Sequence, residues 1–93
     1  MPDFDTVAAA KIHQFLSDYA DANLKLVLEK HLANYEYATL TARFGDNLDK
    51  FVAIDWASNS NGITSERLRQ IESKLALKLT SDSFQIRIGI KSI

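Results

Sequence analysis

The spacing of apolar residues changes along this chain of 93 residues, and that change constrains the fold more than any other feature. From Phe4 to Tyr19, apolar side chains recur every three or four residues, which is the period of an amphipathic helix. From Tyr35 to Phe44 they alternate with polar side chains, which is the period of a strand. The strictest alternation lies in residues 84–91. The spacing therefore predicts a fold that contains both helices and strands.

Two segments have the features of amphipathic helices. The first covers residues 4–19, with Asp3 or Asp5 expected to cap its first turn. The other covers residues 64–79, with Thr64 as the N-cap and Ile63 stapled onto Leu68. Residues 23–33 fit a helical stripe and also strand alternation. We favour a helix there, because Leu, Glu and Lys are good helix formers.

Three strands are predicted, at residues 35–44, 51–57 and 84–91, with a turn at residues 45–49 between the first two. The element order is then α-(α)-β-β-α-β. A right-handed crossover places the last two strands parallel. The predicted fold class is α+β: a single domain over residues 1–93, built as a two-layer α/β sandwich. Its three-stranded mixed sheet has helices on one face and an open second face; a strand at 23–33 would add a fourth.

The open sheet face is the predicted site, because it combines aromatic rings with cationic side chains. Such a mixture is enriched at protein interfaces and also occurs on sheets that stack nucleic-acid bases. Gly89 would create a low spot on this face where a partner approaches closely. The predicted interface residues are Tyr35, Tyr37, Thr39, Arg43, Phe51, Asp55, Arg87, Gly89 and Lys91.

Three functions are compatible with that face. The leading prediction is a small non-catalytic interaction or regulatory protein, a homodimer or a binder of another protein. The alternative is a module for single-stranded RNA or DNA, although no RRM octapeptide is present. The third is a small enzyme that uses Asp55 as a base together with His13 or His31, whereas pairing of Asp55 with Arg43 or Arg87 is the simpler explanation.

The net charge of −1 conceals an uneven distribution. Residues 1–49 carry eight acidic and four basic side chains, whereas residues 50–93 carry four acidic and seven basic ones. The basic half matches an acidic partner, a phosphate backbone or the acidic half of a second copy.

The composition also excludes several site types. With no cysteine there is no disulfide and no thiolate metal site. His13 and His31 show no metal-ligand spacing, so no metal and no cofactor are predicted. The chain shows no signal segment and no apolar run long enough to span a bilayer, and we expect a cytoplasmic protein.

Overall fold

The computed structural model describes residues 4–20 and 23–92, and within these ranges it contains helices and no strand. The helices are α1 (Val7–Asp18), α2 (Leu24–His31), α3 (Asn34–Phe44), α4 (Ile54–Ser60), α5 (Ser65–Leu79) and α6 (Asp82–Arg87). The predicted α/β sandwich, its three-stranded mixed sheet and its open sheet face are therefore wrong. The described part of the chain is all-helical.

The helices predicted at residues 4–19, 64–79 and 23–33 are confirmed as α1, α5 and α2. Helix α5 begins after Thr64, whose side chain accepts a hydrogen bond from the Arg67 amide at 3.1 Å, as expected of the N-cap. In α1 the cap is Thr6, which accepts from Ala9 N at 3.0 Å. Asp5 is therefore not the cap that the sequence predicted, and Asp3 lies outside the described residues.

Helix α3 replaces the first predicted strand. Two of its buried residues, Glu36 and Arg43, are ionisable. The buried positions recur at helical spacing and are Glu36, Thr39, Leu40, Arg43 and Phe44. The strand prediction placed Arg43 and Thr39 outward because they are polar. Both side chains are buried in a helix. The alternation of apolar and polar residues in this segment therefore does not indicate a strand.

The second and third predicted strands also become helices. Residues 51–53 belong to no helix or strand, and α4 follows with Ile54 and Ala57 buried. Helix α6 is capped by Ser81, which accepts from the Phe84 amide at 3.3 Å. It ends in a Schellman motif at Gly89, whose φ is +84°. Gly89 N donates to Ile86 O and Ile90 N donates to Gln85 O, each at 3.1 Å. Gly89 therefore ends a helix and does not lie on a sheet.

Helix α5 lies at the centre of the fold and packs against α1, α3, α4 and α6. Its stripe of Leu68, Ile71, Leu75 and Leu79 is buried, as predicted, and Leu77 on the opposite side is 68% exposed. The largest apolar cluster includes α1, α3 and the C-terminal half of α5, and a smaller one joins Ile54 and Ala57 to Leu68. Among the described residues, none of the helices is long and apolar enough to cross a membrane.

Candidate functional site

A narrow groove lies between α3 and α5, and we refer to it as the α3–α5 groove. On α3, Tyr35, Ala38 and Ala42 follow each other at helical spacing and line one wall. The two alanines leave space because their side chains are short. Across the groove are Ile63 and residues of α5, and the enclosed volume is about 200 Å³. The lining is Tyr35, Ala38, Thr39, Ala42, Asn61, Ile63, Leu68 and Ile71.

One end of the groove is basic. A further pocket of about 50 Å³ shares Tyr35 and Ile71 with the groove and is bordered by Arg67 and Lys74. These two cations lie on either side of Ile71 on α5, at positions i−4 and i+3, so they share one face of the helix. Neither side chain forms an ion pair or hydrogen bond with another described residue, so both are free to bind an anionic group.

The acidic residue at this end is already engaged. Glu36 Oε1 accepts hydrogen bonds from the Ala33 amide and from Lys78 Nζ, both at 2.9 Å. The first bond satisfies an amide at the start of α3, and the second joins α3 to α5. Because Lys78 compensates the charge of Glu36, the charges of Arg67 and Lys74 determine the potential at this end of the groove.

A buried ion cluster fixes α3 against α5 below the groove. The Arg43 side chain is 0% exposed. Its Nε donates to Glu72 Oε1 at 2.8 Å, and its Nη1 donates to Val52 O at 2.6 Å. Asp5 binds the other side of the guanidinium with both carboxylate oxygens, and also accepts from the Ile54 amide at 2.8 Å. The cluster connects Asp5, which precedes the N-cap of α1, with α3, α4 and α5.

The cluster also shifts the pKa values of Asp5 and Arg43. Burial by itself raises the pKa of Asp5, but hydrogen bonds from Arg43 and the Ile54 amide, together with the charge of Arg43, lower it overall. Burial by itself lowers the pKa of Arg43, but Asp5 and Glu72 raise it overall. Both side chains therefore stay ionised across the physiological range.

Asn61, the C-cap of α4, also lines the groove, and local hydrogen bonds join α4 to the start of α5. Ser58 and Ser65 hydroxyls lie 2.9 Å apart, and Ser65 Oγ donates to Asp55 Oδ1 at 3.1 Å. Asn61 Nδ2 donates to Ala57 O at 2.7 Å, which fixes the side chain that lines the groove. The contacts of Asp55 are thus local, and neither Arg43 nor Arg87 pairs with it. No hydrogen bond or ion pair joins Asp55 to His13 or His31.

The structure does not bring the nine predicted interface residues together on one surface. Thr39 and Arg43 are buried, and Tyr37 and Phe51 are partly buried against the main cluster. The exposed members lie on separate elements: Tyr35 on α3, Asp55 on α4, and Arg87, Gly89 and Lys91 at the C-terminal end. Only Tyr35 and Thr39 line the α3–α5 groove.

The sequence interpretation missed the groove residues on α5 and the two alanines of α3. Arg67, Ile71 and Lys74 carry a signal that was available, since they share one face of a correctly predicted helix. Ala38 and Ala42 carry none that is specific, because small residues have many roles. In the described ranges, His, Asp and Glu side chains form no group of three that could hold a metal ion.

Comparison of the chain with protein-family models, with curated proteins and with solved structures gave no match.

Proposed function

We propose that this chain is a non-catalytic interaction module that binds an acidic segment of a partner protein in the α3–α5 groove. The observation that carries the proposal is the juxtaposition of an apolar groove with two unpaired cations, Arg67 and Lys74, at one end. An apolar anchor side chain fills the groove, and acidic side chains next to it in the partner bind the two cations.

The size of the groove favours an anchor over a whole small molecule. Pockets for drug-sized ligands enclose roughly 300–1,000 Å³, whereas this groove encloses about 200 Å³. Protein interfaces concentrate their affinity in a few side chains that fill such pockets. Tyr35 is 59% exposed beside the groove and supplies an aromatic surface for the rest of the segment.

The charge pattern argues against α1 or α2 of a second copy as the occupant, whereas Trp56 on α4 lies next to Asp55 and has no lysine within one turn. Val7 and Leu26 are exposed apolar side chains on α1 and α2, but each has a lysine one turn later, at Lys11 and Lys30. A lysine next to the anchor would be repelled by Arg67 and Lys74. A partner that carries acidic residues at those positions avoids this repulsion.

Peptide binding tests the proposal. The probes are acetylated ten-residue peptides with a single leucine, phenylalanine or tryptophan flanked by glutamates, and matching peptides flanked by lysines. We expect saturable binding of the glutamate peptides, weakened by added salt. The double variant Arg67→Glu/Lys74→Glu should lose at least about tenfold in affinity, which corresponds to 1.4 kcal/mol.

The matched control is Arg69→Glu, an exposed position on α5 outside the groove, which should leave affinity nearly unchanged. Equal binding of glutamate and lysine peptides contradicts the proposal. Sedimentation equilibrium of the same variants identifies the occupant: a dimer that dissociates in Arg67→Glu/Lys74→Glu, but not in Arg69→Glu, would place a second copy in the groove.

A second candidate, self-association through α4, is favoured by Trp56. It is the sole tryptophan, lies opposite the buried face of α4 and is 71% exposed. Because tryptophan is enriched at the centres of interfaces, we expect Trp56→Ala to lower the association constant of any dimer. Acrylamide quenching of Trp56 that does not change with protein concentration would contradict this candidate.

A further inference from the structure

A separate cleft lies between α1 and the loop that joins α3 to α4, and we refer to it as the α1 cleft. Its volume is about 530 Å³, within the range of roughly 300–1,000 Å³ typical of small-molecule sites. The apolar lining comes from Leu16 on α1, from Ala20 just after the C-cap of α1, and from Leu48 and Phe51 on the loop. The lining is completed by four polar side chains: His13, Ser17, Asp49 and Lys50.

The polar side chains of the α1 cleft are available to a ligand. Among the described residues, none of the four makes a side-chain hydrogen bond or ion pair. Asp49 and Lys50 place one anionic and one cationic group in the same cleft. Two opposite charges that do not pair with each other, in a cleft that also has apolar lining, match a ligand that itself carries both charges.

Three features of the loop fix Lys50 and the backbone beside it. The stem of Lys50 lies across Gly45, with Cδ 3.3 Å from the position that a Cβ at Gly45 would occupy. Lys50 N donates to Phe44 O at 2.9 Å, which fixes the backbone at this point. Leu48 has a φ of +58°, a conformation disfavoured for residues with a Cβ and concentrated at binding sites.

Aromatic packing orients the histidine at the edge of the cleft. The Phe4 ring lies 4.8 Å from the His13 ring and 4.9 Å from the Phe51 ring, measured between centroids. Phe4 therefore connects α1 to the loop and restrains both rings. The Phe51 ring, which lines the cleft, supplies a surface on which another ring can pack.

We infer that the α1 cleft binds a free amino acid with an aromatic or large aliphatic side chain. The ligand carboxylate binds the Lys50 ammonium and the His13 N–H, and its ammonium group binds the Asp49 carboxylate. Its side chain packs against Leu48 and Phe51. A zwitterion satisfies both charged residues and adds no net charge to the cleft, whereas a simple carboxylate or a simple amine leaves one of them unpaired.

Three probes of one shape test this inference: L-phenylalanine, 3-phenylpropionate and 2-phenylethylamine. They are titrated into the intact chain and followed by backbone amide chemical shifts. We expect L-phenylalanine to bind at least tenfold more tightly than either of the others, with the largest shifts at Ser17, Leu48 and Lys50. If 3-phenylpropionate binds as tightly as L-phenylalanine, or if the shifts lie elsewhere, the inference is wrong.

Variants at exposed positions test the contributions of Lys50 and Asp49 one at a time without disturbing the core. Lys50→Gln and Asp49→Asn should each lower L-phenylalanine affinity at least tenfold, and Asp49→Asn should not weaken 3-phenylpropionate binding. The matched controls are Lys30→Gln on α2 and Asp46→Asn in the same loop, neither of which lines the cleft. Equal losses in Asp46→Asn and Asp49→Asn would overturn the inference. These outcomes do not depend on the α3–α5 groove.

Discussion

Arg43 Nε lies 2.8 Å from Glu72 Oε1, and the two side chains are 0% and 1% exposed. A buried ion pair is stable only when its remaining donors and acceptors are also satisfied. Here Asp5 and Val52 O accept from three of the four other guanidinium N–H groups, and Thr6 Oγ1 donates to the second oxygen of Glu72 at 3.2 Å. Because Arg43 is on α3 and Glu72 on α5, the pair fixes the helices that form the groove.

Replacement of Arg43 should destabilise the fold strongly. Arg43→Met leaves Glu72 buried without a cationic partner, and breaking such a pair typically costs about 3–5 kcal/mol. We expect this loss in the free energy of unfolding measured with urea. The double variant Arg43→Met/Glu72→Met should be more stable than Arg43→Met alone, because the carboxylate of Glu72, which is 1% exposed, is no longer left without a partner. Arg69→Met on the exposed side of α5 is the control, with a change within about 0.5 kcal/mol.

Stability should fall in acid in a way that depends on Asp5. Its pKa in the folded chain is lowered, so the carboxylate contributes stability above the ordinary value of about 3.9. That contribution is lost as the pH falls through the lower folded-state pKa. We expect urea midpoints of Asp5→Asn to be reduced at neutral pH and to vary less than wild type below about pH 4. Parallel curves for the two proteins would contradict this assignment.

The sequence predicted the elements whose apolar stripes and caps agree. Helices α1 and α5 have wide apolar faces, and Thr64 caps α5 as expected. The prediction was wrong where polar residues occupy buried positions of a helix. Arg43 and Thr39 were assigned to a solvent face because polar residues are seldom fully buried. The burial of Arg43 depends on Asp5 and Glu72, which are distant in sequence, whereas the Thr39 hydroxyl donates to Tyr35 O within α3.

The strand prediction for residues 84–91 was wrong for a different reason. Phe84, Ile86, Ile88 and Ile90 alternate strictly, and branched residues favour strands. Local capping outweighs this preference, since Ser81 starts α6 and Gly89 ends it. With no strand among the described residues to pair with it, the segment satisfies its backbone groups as a helix. The predicted site was lost with the sheet, because its residues shared a face only in a strand.

Removal of the N-cap of α5 should have a moderate effect. The Thr64 hydroxyl satisfies the Arg67 amide, so Thr64→Ala leaves that amide dependent on water. We expect a loss of about 1 kcal/mol in the free energy of unfolding. Ser73→Ala, at an exposed position within the same helix, should leave stability unchanged or raise it slightly. Equal losses at both positions would show that the cap contributes nothing.

Gly45 should tolerate alanine less well than Gly62. Gly45 has φ +79° and ψ 166°, a region that is essentially restricted to glycine. An added Cβ there would also lie 3.3 Å from Lys50 Cδ, whereas one at Gly62, with φ +63°, meets nothing within 4 Å. We expect Gly62→Ala to cost about 1–2 kcal/mol and Gly45→Ala to cost more. Thermal unfolding of the two variants under one buffer condition measures the difference.

The Tyr37 hydroxyl is buried and has no hydrogen-bond partner within residues 4–20 and 23–92. An unsatisfied buried hydroxyl is unfavourable, so Tyr37→Phe should leave stability unchanged or raise it by about 1 kcal/mol. Tyr35→Phe is the matched control, since that ring is exposed. Burial, together with the charges of Glu29 and Asp46, raises the pKa of Tyr37.

The raised pKa of Tyr37 can be tested by a second measurement, the dependence of stability on alkaline pH. Because the folded-state pKa of Tyr37 is raised, ionisation of this side chain disfavours the folded state, and the free energy of unfolding falls as the pH rises above the unfolded-state value of about 10. We therefore expect Tyr37→Phe to reduce the alkaline loss of stability relative to Tyr35→Phe, as followed by urea midpoints between pH 8 and about 11. A loss of more than about 1 kcal/mol in Tyr37→Phe at pH 7 would show instead that the hydroxyl is satisfied in the folded chain.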